Sequence, residues 1–321
     1  MPRQVWMSCY IEIGDYVFRH ANAIKIKSTW KALSDVCTVN LPNLRGLIDA
    51  QKIEKVIKEG DSVLVKFGYD DDLYTEFEGY VASISPKSPF EILCEDEMWK
   101  LKQKTVSYSW KTISLKEALQ ILVPGVELEV PDINLSPFRI NQLTIAQALQ
   151  LLKDQCNIIV YFRGKKLFAG LMYTEKGLGE VNYHFQKNAI MGNLVYKHKD
   201  GVKIKVHAVS VQKDNKRIEV DFGDDNGEQH TLHYFNKSKE ELTALAKEKI
   251  KSLKYDGYRG VFTAKGIPRP KHGMVSNMDD GKYPERRGSF FIDGVETDYN
   301  GTDGIKREIE LGLKADSLLI R

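Results

Sequence analysis

The sequence predicts an α+β, mainly β protein, with two small antiparallel β-barrel domains and a small α+β module between them. Three observations carry this prediction. Over the first hundred or so residues, apolar and polar side chains alternate in short runs bounded by turn residues. The middle then breaks into two apolar repeats of helical period, and strand-like alternation returns from about residue 173. Residues 1–105 are read as the first barrel domain, 106–172 as the module with two helices, and 173–321 as the second barrel domain, with an inserted helix near 238–253. A chain of 321 residues is longer than one ordinary core needs, which favours two or three packed units.

In the first unit, Tyr10, Glu12 and Val17, then Ala23 to Lys27, then Cys37 to Leu41, read as half-buried strands. Residues 45–58 read as one helix: Leu47, Ile48, Ile53, Val56 and Ile57 make its apolar face, and Gly60 closes it. A hairpin follows, with Val63, Val65 and Phe67 alternating, GYDDD at the tip, and Tyr74 to Ile84 running back. Phe90 to Cys94 adds a strand. In the middle, TISLKEALQIL and LTIAQALQLLKDQCN each place Thr or Ser ahead of an apolar repeat, predicting two helices. Val126 to Val130 and Arg139 to Asn141 are strand-like, and Ile158 to Phe162 with Lys166 to Ala169 form a hairpin. Later, Val202 to Val211 and Lys216 to Phe222 read as a hairpin. Ser238 and Glu241 have capping-box spacing before Leu242, Leu245, Ala246 and Ile250. Strands near Gly288 to Val295 and Arg307 to Leu313 close the chain.

The two ends share a rhythm. Gly60 with Val63, Glu78-Gly79-Tyr80-Val81 with Ile84, and Phe90 to Cys94 are echoed by Gly273 with Val275, Gly288-Ser289-Phe290-Phe291 with Val295, and Ile305 to Leu311. Two related barrels would produce this echo, and so would any two meanders with turn glycines.

The chemistry visible in the sequence points away from catalysis. Lys plus Arg (47) nearly balances Asp plus Glu (44), so there is no strong positive field for sequence-specific nucleic acid or anionic lipid. No apolar run approaches the ~18 residues of a membrane span, and the start has no signal-peptide pattern, which reads as a cytoplasmic product. Cys9, Cys37, Cys94 and Cys156 stand far apart and read as small buried hydrophobes. His230 and His233, three apart on a strand, face opposite sides and have no third ligand at zinc spacing, so no metal is expected. Asp221-Phe222-Gly223 lacks the phosphate loop that would give it meaning, and Asp70-Asp71-Asp72 lacks the alternating ligands of a calcium loop. No catalytic residue and no cofactor are assigned. A carboxylate pair suited to glycan cleavage is not readable from spacing.

The stretch GDSVLVKFGYDDDLYTEFEGYVASISPKSPFEILCEDEMWKLKQK resembles the end of the first tube-like domain in phage baseplate hub proteins of the Mu and P2 type, the late control protein D family. The stretch GIPRPKHGMVSNMDDGKYPERRGSFFIDGVETDYNGTDGIKREIELGLKA resembles the second such domain, and the length suits a hub without a fused spike. The resemblance implies a structural protein of the virion tail baseplate, put together in the bacterial host cytoplasm. It also implies a homotrimer whose six barrels present a sixfold-like face to the tail tube protein and a threefold face to the central spike protein. In that setting Gly79 to Ile84 and Ser289 to Val295 are core strands, and Asp70, Asp71, Asp72, Arg286 and Arg287 are charged assembly contacts or solvated turns. Two other classes stay open. One is the equivalent ring of a type VI secretion or related injection machine. The other is a peptidoglycan-binding or cleaving module that stacks sugar on Trp99, Tyr108, Trp110, Tyr161 or Phe162.

Overall fold

The computed structural model describes residues 6–42, 56–85, 89–130, 134–135, 137–156, 158–212, 216–235 and 237–315. The chain opens with strands β1 (Met7–Ile13), β2 (Tyr16–Phe18), β3 (Ala23–Thr29), β4 (Val36–Leu41), β5 (Ser62–Tyr69), β6 (Asp72–Ser85) and β7 (Phe90–Glu95). The middle holds α1 (Met98–Lys102), β8 (Thr105–Trp110), β9 (Ile113–Ser114), α2 (Leu115–Leu122), β10 (Glu127–Glu129), β11 (Asn134–Leu135), β12 (Phe138–Thr144), α3 (Ile145–Cys156), β13 (Ile159–Arg163) and β14 (Lys166–Gly170). Next come β15 (Glu180–His184), β16 (Ala189–Lys197), β17 (Ile204–Val211), β18 (Arg217–Gly223), β19 (Glu228–Phe235) and α4 (Lys239–Leu253). The chain ends with β20 (Gly257–Lys265), β21 (Val275–Asp279), β22 (Gly288–Asn300) and β23 (Gly304–Lys314).

The fold is mainly β, as the alternation predicts. Its two β halves are nevertheless not separate closed barrels among the described residues. They share one 13-stranded sheet in the order β16-β20-β23-β22-β3-β4-β7-β6-β5-β1-β2, with β21 beside β22 and β15 beside β21. The join is an antiparallel ladder between β3 and residues 294–300 of β22, from Gly294 opposite Thr29 to Asn300 opposite Ala23. Such a pairing across some 270 residues leaves no local trace in the sequence.

Each half keeps its own core. Ile11, Ile24, Val39, Val65, Phe67 and Ile92 pack under the first half, and Tyr183, Phe262, Phe290, Ile292 and Ile309 under the second. Burying each such side chain contributes about 1.5–3 kcal/mol. Tyr299 and Ile305 cross from the second half into the first core, so the joint is packed as well as hydrogen-bonded.

The halves repeat one topology. Strands β1, β3, β4, β5, β6 and β7 lie in the order β3-β4-β7-β6-β5-β1, and β15, β16, β20, β21, β22 and β23 lie in the order β16-β20-β23-β22-β21-β15. The details agree. Gly60 N–H donates to Val81 O at 2.8 Å and Val81 N–H to Asp61 O at 2.9 Å; Gly273 N–H donates to Ile292 O at 2.7 Å and Ile292 N–H to Met274 O at 2.9 Å. Both glycines have left-handed φ, +90° and +89°, which a side chain resists. A bulge follows each time, between Val81 and Ser83 and between Ile292 and Gly294. The halves differ at one strand: β1 is antiparallel to β5, whereas β15 is parallel to β21.

Two small modules with their own cores complete the molecule. The first packs α2 and α3 on short strands, and both helices start as predicted: Ser114 and Glu117 form a capping box, and Gln147 N–H donates to Thr144 Oγ1. The second was not foreseen as a unit. The hairpin β17–β18 and the helix α4, assigned from sequence to the second barrel, join β19 in a separate three-stranded sheet covered by Leu242, Ala246 and Leu253. Ser238 and Glu241 cap α4 reciprocally. The helix expected over 45–58 falls almost wholly outside the described residues; Ile57, at its end, is fully buried.

Candidate functional site

The surfaces able to recruit another chain follow from the sheet. Among the described residues β16 pairs only with β20, so its other side is a free edge. A free edge offers unpaired N–H and C=O groups to another strand. A register shift between Ile190 and Asn193 interrupts its alternation, and Ile190 and Val195 stand 59% and 54% exposed. Beside this edge the Arg286 guanidinium lies 4.1 Å from the Tyr283 ring centre and 5.3 Å from that of Tyr196, a β16 residue. An apolar edge flanked by Arg and Tyr has the composition of a protein contact. Arg287 instead pairs with Asp279, at 2.6 Å.

The acidic tip sits on the first half. Asp70 and Asp71 occupy a two-residue turn with φ of 50° and 63°, the left-handed pair that Asp tolerates. Asp70 ties the turn to the residue before β1: its N–H donates to Trp6 O at 2.9 Å, and its carboxylate accepts from Trp6 N–H at 3.1 Å. Asp72 accepts the Tyr74 hydroxyl, on whose ring Arg269 rests at 3.5 Å. Asp71 is exposed, and Trp6 and Ile267 are 65% and 64% exposed. The five charged residues therefore lie on two different halves, three at the β5–β6 tip and two beside β21.

Between the halves and the first module lies a cleft of about 410 Å³, lined in part by Asp35, Glu76, Asp96, Arg163, Arg269 and Arg307. Glu76, Arg163 and Arg307 are held in ion pairs within the chain. Buried Arg307 grips Glu76 at 2.6 and 2.9 Å and also donates to Thr297 Oγ1 and Gly266 O. Arg163 holds Glu175 and donates to His272 O at 2.8 Å. Burial pushes the carboxyl of Asp35 up to about 6 and that of Asp96 up to about 7. In the same cleft the Ser28 hydroxyl donates to Asp35 Oδ2 at 2.6 Å.

Among the described residues no group of three or more His, Cys, Asp or Glu side chains is placed to hold a metal ion, and no helix is long and apolar enough to cross a membrane. His230 lies 3.5 Å from Glu228, with burial holding its pKa down; the side chain of His233 is outside the described set. Asp221 sits 2.8 Å from His207 on an open sheet face. Cys9, Cys37 and Cys94 are buried free thiols, and burial raises each pKa, so all three are poor nucleophiles; the side chain of Cys156 is outside the described set.

Of the aromatic residues considered for glycan, Tyr161 and Phe162 are core, and Trp99 stacks on Tyr80 under Gly60. Tyr108 and Trp110 stack at 5.0 Å and continue to buried Phe138. That ladder extends the module core toward the surface. The residues missed from sequence are Ile190 and Val195. Their signal is faint, since the run AIMGNLVYK breaks its alternation at Gly192.

No protein-family profile matches this chain, and no curated protein matches it. Solved structures do. The chain is similar over 97% of its length to 97% of the tail protein from Neisseria meningitidis MC58, with a TM-score of 0.66 and 16% identity. It is similar over 95% of its length to 97% of the 43 kDa tail protein of prophage MuSo2 from Shewanella oneidensis, with a TM-score of 0.63 and 15% identity. It is also similar over 98% of its length to 78% of the E. coli c3393 protein, a component of the type VI secretion system, with a TM-score of 0.60 and 7% identity. At these identities the likeness is one of fold.

Proposed function

We propose that this chain is a structural protein of a phage or prophage contractile tail, acting as the baseplate hub: a trimeric ring that joins the tail tube to the central spike. The observation that carries the reading is the repeat of one six-stranded topology in both halves of a single sheet. A ring of three such chains holds six similar β units, which is what a threefold part needs to meet a sixfold tube. The end-to-end fold likeness to two tail proteins, one of them from a prophage, supports the same reading. The function is mechanical, with no catalysis and no cofactor, and its partners are further copies of itself, the tube protein and the spike protein.

The hub of a type VI secretion or related injection machine is the second reading. The likeness to the E. coli secretion component favours it, as does a likeness over 96% of this chain to 53% of a chain in the Francisella PdpA–VgrG complex. Both readings share the ring. Sedimentation at several concentrations tests it: the expected species has three times the 36.6 kDa chain mass. A strict monomer that also fails to bind tube or spike protein contradicts both readings.

A further inference from the structure

The two halves are joined inside the chain by a ladder that has an unused counterpart. Matching hydrogen bonds place Val81 with Ile292, and the bulges that follow place Ser83, Ile84 and Ser85 with Gly294, Val295 and Glu296. The latter three residues pair with Thr29, Ser28 and Lys27 of β3. On the first half, the β5 ladder stops at Tyr80 opposite Ser62, and among the described residues no strand continues it along 83–85.

The strand equivalent to β3 is β16, the free edge. The ladders through β7–β4–β3 and β23–β20–β16 set Cys94 with Leu311, Cys37 with Gly260, and Ile26 with Leu194. Ile26 and Leu194 are both buried, as this alignment requires. It follows that Lys27, Ser28 and Thr29 correspond to Val195, Tyr196 and Lys197. So the outer side of β3 has a partner in β22, whereas among the described residues the outer side of its equivalent β16 has none, and the segment that would receive β16 lies on β6.

Resting on the self-assembly reading above, we propose that β16 of one copy pairs with residues 83–85 of β6 in a second copy. The register sets Ser85 opposite Val195, Ile84 opposite Tyr196 and Ser83 opposite Lys197. The side chains fit. Inside the chain the first of these positions holds the ion pair Lys27–Glu296 at 2.9 Å, whereas the contact between copies has uncharged Ser85 facing Val195 and covers that exposed side chain. Ile84 and Tyr196, both half-buried, form the inward pair at the position that Val295 and Ser28 hold within the chain, with two large apolar surfaces in place of one. The contact is head-to-tail, so it closes only by forming a ring.

The test is proximity cross-linking of the full-length chain carrying Ser85→Cys and Val195→Cys, using a short bis-maleimide, with Ser85→Cys plus Ile190→Cys as the off-register pair. The expected result is covalent oligomers whose peptide map joins residues 85 and 195, formed at least tenfold faster than in the off-register pair. A second variant, Val195→Lys, changes an exposed side chain; it should leave the melting temperature of the monomer unchanged and weaken self-association at least tenfold. Oligomers that form without the 85–195 link and tolerate Val195→Lys overturn this contact while leaving the ring reading standing. A monomer at every concentration overturns the contact, and the ring reading is then judged by binding of tube or spike protein.

Discussion

Arg307 is almost fully buried, and its partner Glu76 comes from the other half of the sheet. A buried charge stripped of its partner is costly, so Arg307→Ala should lower unfolding free energy by about 3–5 kcal/mol in urea titration. Arg307→Met combined with Glu76→Leu should recover most of that loss, since neither charge is then left unpaired. Asp35 gives the pH prediction. Its folded pKa, about 6, lies above its ordinary value of 3.8 because burial disfavours the carboxylate. The unfolded chain therefore ionises first, and stability is lost as pH rises from about 4 through about 6. Asp35→Asn should remove that loss. Urea titrations at pH 5 and pH 8 should show wild type weaker at pH 8 by an amount on the order of a few kcal/mol, and the variant should lose less but not become flat, because the carboxyl of Asp96 is pushed higher still, to about 7. Neither residue stood out in the sequence, because burial and pairing depend on chain segments far apart.

Local elements were legible where a side chain writes a local rule. The capping boxes at Ser114 and Ser238, the alternation of Val63, Val65 and Phe67, and the echo of Gly60 by Gly273 all appear where the sequence placed them. Strands β15, β16, β20 and β21 were not legible. In β16 the bulge breaks the alternation, β20 carries Gly257 and Gly260, and β21 is short and half polar. The equivalence of the two glycines makes a paired prediction. A Cβ at Gly60 would stand 2.8 Å from Trp99, and one at Gly273 would stand 2.6 Å from Leu178, both at left-handed φ. Gly60→Ala and Gly273→Ala should each cost more than about 1 kcal/mol in denaturant titration. Gly164→Ala, also at left-handed φ but in open space, should cost less.

For the whole molecule, the sequence separated the halves but could not join them. The β3–β22 ladder makes them one sheet, and Tyr299 and Ile305 pack across the joint. The candidate charged contacts were legible only as turns: Asp70 is held by the Trp6 backbone and Arg287 by Asp279, whereas Arg286 lies beside the free edge. What a sequence cannot display is an edge, because an edge is defined by a strand that is not there. The central claim is that repeated halves build a threefold ring with six similar β units. Electron microscopy of the purified oligomer, averaged without imposed symmetry, tests it most directly. The account predicts threefold rings with a central channel walled by six similar densities. Rings of any other symmetry, or threefold rings in which the two halves of each chain sit at unrelated radii, would contradict it.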